Sequence, residues 1–416
     1  MNPVFDVVIV GAGAAGLMTA IVCRRQDIKN ILLLDGQQKI GAKILMSGGT
    51  RCNVTNAQVD PKDFNSENSI VVRNVLYGFS SSHAIDFFQK LGVKFVVEPG
   101  GKYFPTTHSG KTILDALNNE IVRRRIRLET SKKVNRIHFK KGLFYIQGEG
   151  FEYVSKTVVM CSGGLSYPMT GSDGVGYNIA KSFGHTIIQT SPALTPLKTD
   201  DEDWKSLSGV SLECLLTLKI NQVNSVSFEG PLLFTHFGFS GPAVLNISRH
   251  WDRLGTQKNV ILEANFLPKE NLEALFKNMR QFAEYHPKGT LKRFLTESLP
   301  ERFVQILLKK NKLSPMLILS QVKKESRETL AKSILNHPLK IIGVMGYQKA
   351  EVTAGGIDLR EIESKTLESK LQPGLFFAGE ILDADGRIGG FNFQWAWSSG
   401  VVAARAIAKI IGTDTN

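Results

Sequence analysis

VFDVVIVGAGAAG, residues 4–16, decides the fold. Residues 4–10 are apolar apart from Asp6, and a short run of this kind fits a strand buried on both faces of a parallel sheet. The run ends in Gly11-Ala12-Gly13-Ala14-Ala15-Gly16, and residues 14–25 have the small, apolar pattern of a helix. ILLLD, residues 31–35, is a second buried strand, ending in Asp35, 19 residues after Gly16. Together these make a βαβ unit. A lone GxGxxG says little, but between a buried strand and a helix each residue has a task. Gly11 makes the tight turn, Gly13 lets the backbone approach a pyrophosphate, and Gly16 lets the helix pack on the strand. The helix start, with the N–H groups of Ala14 and Ala15, offers donors and partial positive charge to phosphates. Asp35 is placed to accept from the hydroxyls of an adenosine ribose. A glycine-rich turn without a ligand is the plain alternative.

The far end of the chain separates FAD from NAD. Residues 374–392 read GLFFAGEILDADGRIGGFN. A strand (LFFA, 375–378) runs into Gly379-Glu380, then the turn Gly389-Gly390, Asn392 and an apolar helix over 394–411. In Rossmann-type FAD proteins such an acidic residue meets the ribityl chain. The following helix aims its N-terminus at the flavin, where its positive end stabilises the reduced anion. A plain NAD dehydrogenase has no need of this element. An ordinary connection between strand and helix is the alternative.

Between these ends the pattern changes twice. Residues 84–91 and 112–125 read as helices and 157–161 (TVVMC) as a buried strand. From about 191 to 267 strands alternate with turns (212–220, 225–228, 260–264), which reads as an inserted, mainly antiparallel β domain. From 268 to 345, Leu, Phe and Ile recur at helical spacing between prolines, which reads as a small helical domain. The nucleotide-binding domain is thus expected in two parts, 1–190 and 346–416.

The chain has 416 residues and is 42% hydrophobic, enough for two or three domains. No uninterrupted apolar run is long enough to span a membrane, and the N-terminal apolar stretch lacks the basic start of a signal peptide. Cys23, Cys52, Cys161 and Cys214 form neither a CxxC pair nor a zinc pattern. This fits a reducing cytoplasm, with no metal site. The net charge is +13. Residues 269–340 hold 15 Lys/Arg and 7 Glu, so more than half of that excess sits in one sixth of the chain. Lys309, Lys310 and Lys312, and again Lys323, Lys324 and Arg327, lie close together. Such a segment suits a polyanionic partner, and the alternative is a solvated helical face.

Four stretches resemble the BaiN/YhiN-like flavoproteins, and the likeness runs over essentially the whole chain. They are KILMSGGTRCNVTN (Lys43–Asn56), CSGGLSYPMTGSDGVGYNIAKSFGH (Cys161–His185), LLFTHFGFSGPAVLNISR (Leu232–Arg249), and the segment Val352–Gly400 that opens VTAGGIDL and contains the late strand and helix. Thr50 stands where the family pattern has a third glycine, and Asp35 where it commonly has Glu. The resemblance implies a Rossmann-type α/β FAD domain, discontinuous, with an inserted β-barrel-like domain and a small helical domain. It also implies cofactor contacts from Lys43, Gly49, Arg51, Val134 and Gly163, beside those of the two dinucleotide elements. The reactions it offers are reduction of a uridine of ribosomal RNA to dihydrouridine, reduction of a conjugated C=C in a steroid-like substrate, and oxidation of a small amine.

Two groups are candidates to protonate a substrate carbon. Cys52, in the loop Ser47–Asn53, can serve as an acid or pack as a small hydrophobe. Asn53 and Asn56 read as loop-stabilising. His236, in Thr235-His236-Phe237-Gly238, can serve as a donor, as an anion contact, or structurally. Phe391, Phe393, Trp395 and Trp397 read mainly as core, with base stacking by one of them as the alternative. No second GxGxxG is present, so NADH or NADPH would have to visit as a transient donor, or another reductant would serve. The basic excess favours ribosomal RNA over a small-molecule substrate. A flavin-containing protein that binds RNA without catalysis is the third reading.

Overall fold

The computed structural model describes residues 3–254 and 259–413. By contact the chain divides into two units: Pro192–Ala350, and the segments that precede it through Ser191 and follow it from Glu351.

In the first unit, β1 (Val4–Val10) leads through a glycine turn into α1 (Ala14–Arg25) and β2 (Ile31–Leu34). A short helix α2 (Ala42–Met46) follows, then helices Ser69–Gly78 and Ser81–Lys90 and α3 (Gly110–Arg123). Next come β3 (Arg127–Glu129), the antiparallel pair β4 (Val134–Lys140) and β5 (Leu143–Gly148), and β6 (Phe151–Met160). After the second unit the chain returns as β7 (Val352–Ile357), β8 (Leu375–Phe377) and α4 (Phe391–Thr413). Five strands form a parallel core in the order β3-β2-β1-β6-β8. The early residues of β6 also pair antiparallel with β5.

Side chains alternate across this sheet. Val7, Ile9, Ile31 and Leu33 join one core with α1, α3 and Trp397. Val8, Val10, Leu32 and Leu34 join the other, with Val71, Val75 and Trp395. Because both faces are covered, the strands are apolar at nearly every position, which is why VVIV and ILLL read so clearly. The aromatic group resolves accordingly. Phe391, Trp395 and Trp397 are at most 1% exposed, which removes them as base-stacking surfaces. Trp395 Nε1 donates to Gly379 O at 3.0 Å and Trp397 Nε1 to Val54 O at 2.9 Å. Phe393 stacks on Trp397.

In the second unit, strands Ser211–Ile220, Val223–Thr235, Gly238–Ser240 and Val260–Asn265 form an antiparallel sheet with shorter edge strands. A helix, Pro242–Leu254, lies in the stretch expected to be mainly β. Its buried Ala243, Val244, Ile247 and Ser248 have the one- and four-residue spacing of a helix face. Helices Leu272–Tyr285, Leu291–Thr296, Glu301–Lys310 and Lys324–Leu335 follow and share the core of the sheet. Trp204 stacks on Phe303 at 5.6 Å between centroids, so strand-side and helix-side residues pack as one body. Among the described residues, no helix is long and apolar enough to cross a membrane.

Candidate active site

Four segments of the first unit leave the carboxyl ends of four adjacent parallel strands. Gly11–Gly16 follows β1, Asp35 follows β2, Cys161–Ser166 follows β6, and Ala378–Glu380 follows β8. Ligands of open α/β sheets bind there because the loops diverge and the helix N-termini converge.

The glycine turn divides its labour as its geometry requires. Gly11 has φ +104°, and a Cβ on it would stand 2.4 Å from Cys161 O. A Cβ on Gly16 would stand 1.8 Å from Gly11 O, so that residue sets how closely α1 approaches the strand. Gly13 is different: beyond its own stretch of chain, nothing lies within 4 Å of its Cβ position. It also stands at the N-cap of α1, where no side chain caps the helix and no acid sits in the first turn. The uncapped N–H groups and the open space beside Gly13 form a cradle for a phosphate.

Asp35 Oδ2 accepts from Ala12 N at 2.7 Å and Oδ1 from Gln37 N at 2.8 Å. Burial raises its pKa, and these two backbone donors work against the rise. Each oxygen keeps a further lone pair for a ribose hydroxyl. Lys132 N donates to Asp35 O at 2.8 Å, which brings the start of β4, and Val134 with it, beside the end of β2. Val134 pairs with Gly148 in the β4–β5 ladder.

Lys43, Ser166 and Glu380 close a ring of hydrogen bonds. Lys43 Nζ donates to Glu380 Oε2 and to Ser166 Oγ, both at 2.7 Å, and Ser166 Oγ donates to Glu380 Oε1 at 2.7 Å. Thr353 on β7 adds its N–H to Glu380 Oε1 and accepts from Leu165 N and Ser166 N. An ammonium has three donors, so one remains beyond this ring. Glu380 is therefore held rigidly at the end of β8. Ser166 and Thr353 had no distinguishing pattern of their own in the sequence, because only the fold brings them to Glu380.

Gly163 has φ +73°, and a Cβ there would stand 2.8 Å from Ser172 Oγ. Gly379, at φ +82°, lies against Ala15. A Cβ on Gly390 would meet the Thr55 carbonyl at 2.6 Å, and Gly389 also has positive φ. The Asn392 carboxamide clasps Gly386, accepting from its N–H and donating to its C=O, both at 2.8 Å. That commits the side chain to the turn and leaves its backbone N–H in the first turn of α4.

In the loop Ser47–Asn53, Arg51 has a partner within the protein and Cys52 takes the packing alternative of its reading. Arg51 is given to Glu98, with Nη1 at 2.6 Å from Oε1, and its guanidinium lies 4.1 Å from the Phe104 ring centre. Its charge is thus matched within the protein. Cys52 is fully buried and part of the core around α1, and burial pushes its thiol up to about 12. A group without surface, and that reluctant to ionise, does not reach a substrate carbon; its packing role is the one the structure supports. Gly49 is exposed, with open space about it. Asn56 donates to Gly100 O and Gly389 O, tying this loop to the turn before α4.

His236 belongs to the second unit. It is exposed on the turn between the strands Val223–Thr235 and Gly238–Ser240, with its ring against Phe237. The clustered lysines are partly spent. Lys309 Nζ lies 2.6 Å from Asp203 Oδ1, Lys310 Nζ 2.6 Å from Asp201 Oδ2, and Lys340 Nζ 2.7 Å from Asp200 Oδ2. Lys309 and Lys310 thus each have an acidic partner within the same unit.

The uncapped glycine turn, the Asp35 carboxylate and the second helix N-terminus after β8 fit a dinucleotide carrying a flavin, and define a Rossmann-type flavoprotein. Residues 5–406 match the family described as HI0933-like protein Rossmann domain, and the chain belongs to that family. A ribosomal RNA dihydrouridine synthase of Escherichia coli (strain K12) is 34% identical over 404 residues, covering 96% of this chain and 97% of the relative. A 3-dehydro-bile acid delta(4,6)-reductase of Clostridium scindens is 31% identical over 403 residues, 96% and 98% of the two chains. Among solved structures, Mycobacterium smegmatis Sdh1 in complex with UQ1 superposes with a TM-score of 0.52 at 15% identity, over 99% of this chain and 69% of that one. That likeness is one of fold.

Proposed function

We propose that this chain is an FAD-dependent reductase of an electron-poor C=C bond, with a uridine of ribosomal RNA as its substrate. The observation that carries the reaction class is the convergence of Gly13, Asp35, Lys43 and Glu380 at the carboxyl ends of adjacent strands, beside the N-terminus of α4. Bound FAD would supply hydride from its reduced N5. The protein's part is to hold and polarise. α1 and Asp35 would hold the pyrophosphate and ribose, Glu380 is fixed by Lys43, Ser166 and Thr353, and α4 would offer its positive end to the flavin. With Cys52 buried, His236 is the candidate proton donor. NADH or NADPH would have to visit transiently as reductant, since the sequence carries no second dinucleotide motif, or another reductant would serve.

Two relatives support RNA: the synthase of E. coli and that of Haemophilus influenzae, which is 33% identical over 415 residues. Charge supports it too. Lys277, Arg280, Lys288, Lys312, Lys323 and Lys332 are exposed and make no ion pair among the described residues. A steroid-like enone with a single carboxylate has little use for so many cations, whereas RNA affinity rests on phosphate neutralisation. The bile acid reductase among the relatives favours the second reading, a small conjugated enone. The test is mass spectrometry of ribosomal RNA from a strain lacking this protein. A uridine that loses a 2-Da increment, restored by the gene, supports the RNA reading; unchanged RNA overturns it.

A further inference from the structure

Strands β4, β5 and β6 form an antiparallel meander whose two faces differ. Ile137, Phe144 and Ile146 point inward, into the core shared with Val8 and Val10. Side chains alternate along a strand, and directly opposed residues share a face. His138 opposes Tyr145, Tyr145 opposes Val154, and Val154 opposes Val4 on β1. These four make one row across four strands, on the outward side. Val4 is 41% exposed, and the His138 and Tyr145 side chains are partly exposed. Their rings stack on each other, with 5.0 Å between centroids and 9° between planes. The solvent face of an antiparallel sheet is ordinarily polar. Here an aromatic and apolar row crosses it, and because β4 is the edge strand the row is open at its His138 end.

Charge frames the row. Arg136 and Lys140 stand two residues to either side of His138, hence on its face, and Lys141 follows in the turn. All three are exposed and make no ion pair among the described residues. The carboxylates on this face are engaged: Asp6 by Lys156 at 3.1 Å, and Glu152 by Gln147 at 2.6 Å. Glu149 lies in the turn at the other end of β5. The charge left free beside the two rings is therefore positive. Lysines on an edge strand also discourage strand pairing, but that task does not call for an aromatic row between them.

Unpaired nucleic acid asks for both features: ring faces on which bases stack, and cations for its phosphates. We propose that the outward face of this meander binds a single-stranded segment of RNA, with His138 and Tyr145 as the stacking row and Arg136 and Lys140 as phosphate contacts. A duplex keeps its bases stacked on one another and offers none to the row. The proposal rests on the RNA reading above. It adds a docking surface in the unit that carries the dinucleotide elements, separate from the basic insertion.

The full-length protein is titrated with a labelled single-stranded oligoribonucleotide, by fluorescence anisotropy at several salt concentrations. Tyr145→Ala is expected to bind it about tenfold more weakly. The salt dependence stays as in wild type, because a neutral ring releases no counterions. Tyr145→Phe keeps the ring and the affinity, and binding of the matching duplex is the same with and without the ring. Arg136→Gln together with Lys140→Gln flattens the slope of log affinity against log salt by about 1.4 units. A purely structural Tyr145 would instead lower the melting temperature of Tyr145→Ala and leave its RNA affinity intact, which overturns the proposal. Should that variant fail to fold, the exposed charge pair still decides, and an unchanged slope overturns it. Altered sedimentation of the charge variant with RNA binding untouched would make this face a contact between copies of the chain, and overturns it too. Wild type that does not bind the single strand does the same. If the deletion strain keeps all its dihydrouridine while wild type binds the single strand through Tyr145, the substrate reading falls and this surface stands.

Discussion

Asp35 Oδ2 accepts a hydrogen bond from the N–H of Ala12 at 2.7 Å, so the carboxylate after the second strand braces the glycine turn after the first. One side chain therefore serves two purposes. It fixes the glycine turn and, on the proposed reading, would present lone pairs to the ribose of FAD. Asp35→Ala loses charge-assisted bonds worth about 1.5–3 kcal/mol. The expected outcome is FAD bound roughly 10- to 150-fold more weakly, measured by titrating flavin-free protein with FAD. Unchanged affinity would show that the dinucleotide does not reach β2.

Thr50 occupies the left-handed region at φ +71°, between Gly49 at +66° and Cys52 at +58°. A β-branched residue there is strained by at least about 1 kcal/mol. Thr50→Gly relieves the clash but frees the unfolded chain, so the net gain expected is about 0.5–1 kcal/mol. Thermal unfolding should rise by about 1–4 °C, with flavin content unchanged. A lower melting temperature would mean that the Thr50 hydroxyl, which donates to Gly49 O, outweighs its strain.

Cys52→Ala tests the reassignment of that residue to packing. The thiol is buried at 0% exposure beside Ile44 and Val54 in the core around α1. Removing one sulfur should cost about 1 kcal/mol and leave both FAD content and turnover in place. The free thiol of the wild type should resist alkylation at pH 8 until the protein unfolds, since burial pushes it up to about 12. Loss of turnover with FAD retained would return Cys52 to the chemistry.

Histidines set an acid limit on stability. Burial lowers the pKa of His185 and takes His250 and His337 down to about 4, with Arg249 and Lys310 respectively adding to the effect. Unfolded histidine titrates near 6.5. The unfolded chain therefore takes up protons first as pH falls. Stability is fully present above about pH 6.5 and is lost toward pH 4. Each histidine contributes a slope approaching about 1.4 kcal/mol per pH unit in that window. Because His250 and His337 both lie in Pro192–Ala350, calorimetry between pH 7.5 and 5 should show that unit losing more than the other. His337→Gln should flatten the decline, and an unaltered slope would remove His337 from it.

The sequence is most legible where physics imposes a pattern on neighbours. VVIV and ILLL are apolar because both sheet faces are covered, and Gly11 and Gly16 are glycine because backbone stands where a Cβ would be. Contacts between distant segments leave no such trace. Ser166 and Thr353 are 187 positions apart, and nothing local marks them as the partners of Glu380. Arg51 in a glycine loop reads as an anion contact, but Glu98 takes it. The charge of the insertion is only partly legible for a related reason. Its lysines cluster in sequence, while Asp200, Asp201 and Asp203, which neutralise three of them, lie more than a hundred residues earlier.

That neutralisation decides which cations to test for RNA binding. Lys277 and Arg280 are exposed three residues apart on the helix Leu272–Tyr285, and Lys288 follows just beyond it. None of the three makes an ion pair among the described residues, so each remains available to a phosphate. Each true phosphate contact adds roughly 0.7–0.9 to the slope of log affinity against log salt. Reversing all three to Glu should flatten that slope by about two units. The loss should be similar for different RNA sequences, because phosphate contacts position without specifying. FAD content should stay the same, since the dinucleotide elements lie in the other unit. Reversing Lys309 and Lys310 is the control. Those changes set like charges beside Asp203 and Asp201, so they should lower the melting temperature of this unit. Their effect on the salt slope should be the smaller one. A slope unmoved by the triple reversal would leave the basic segment as a solvated surface and shift the balance to a small conjugated substrate.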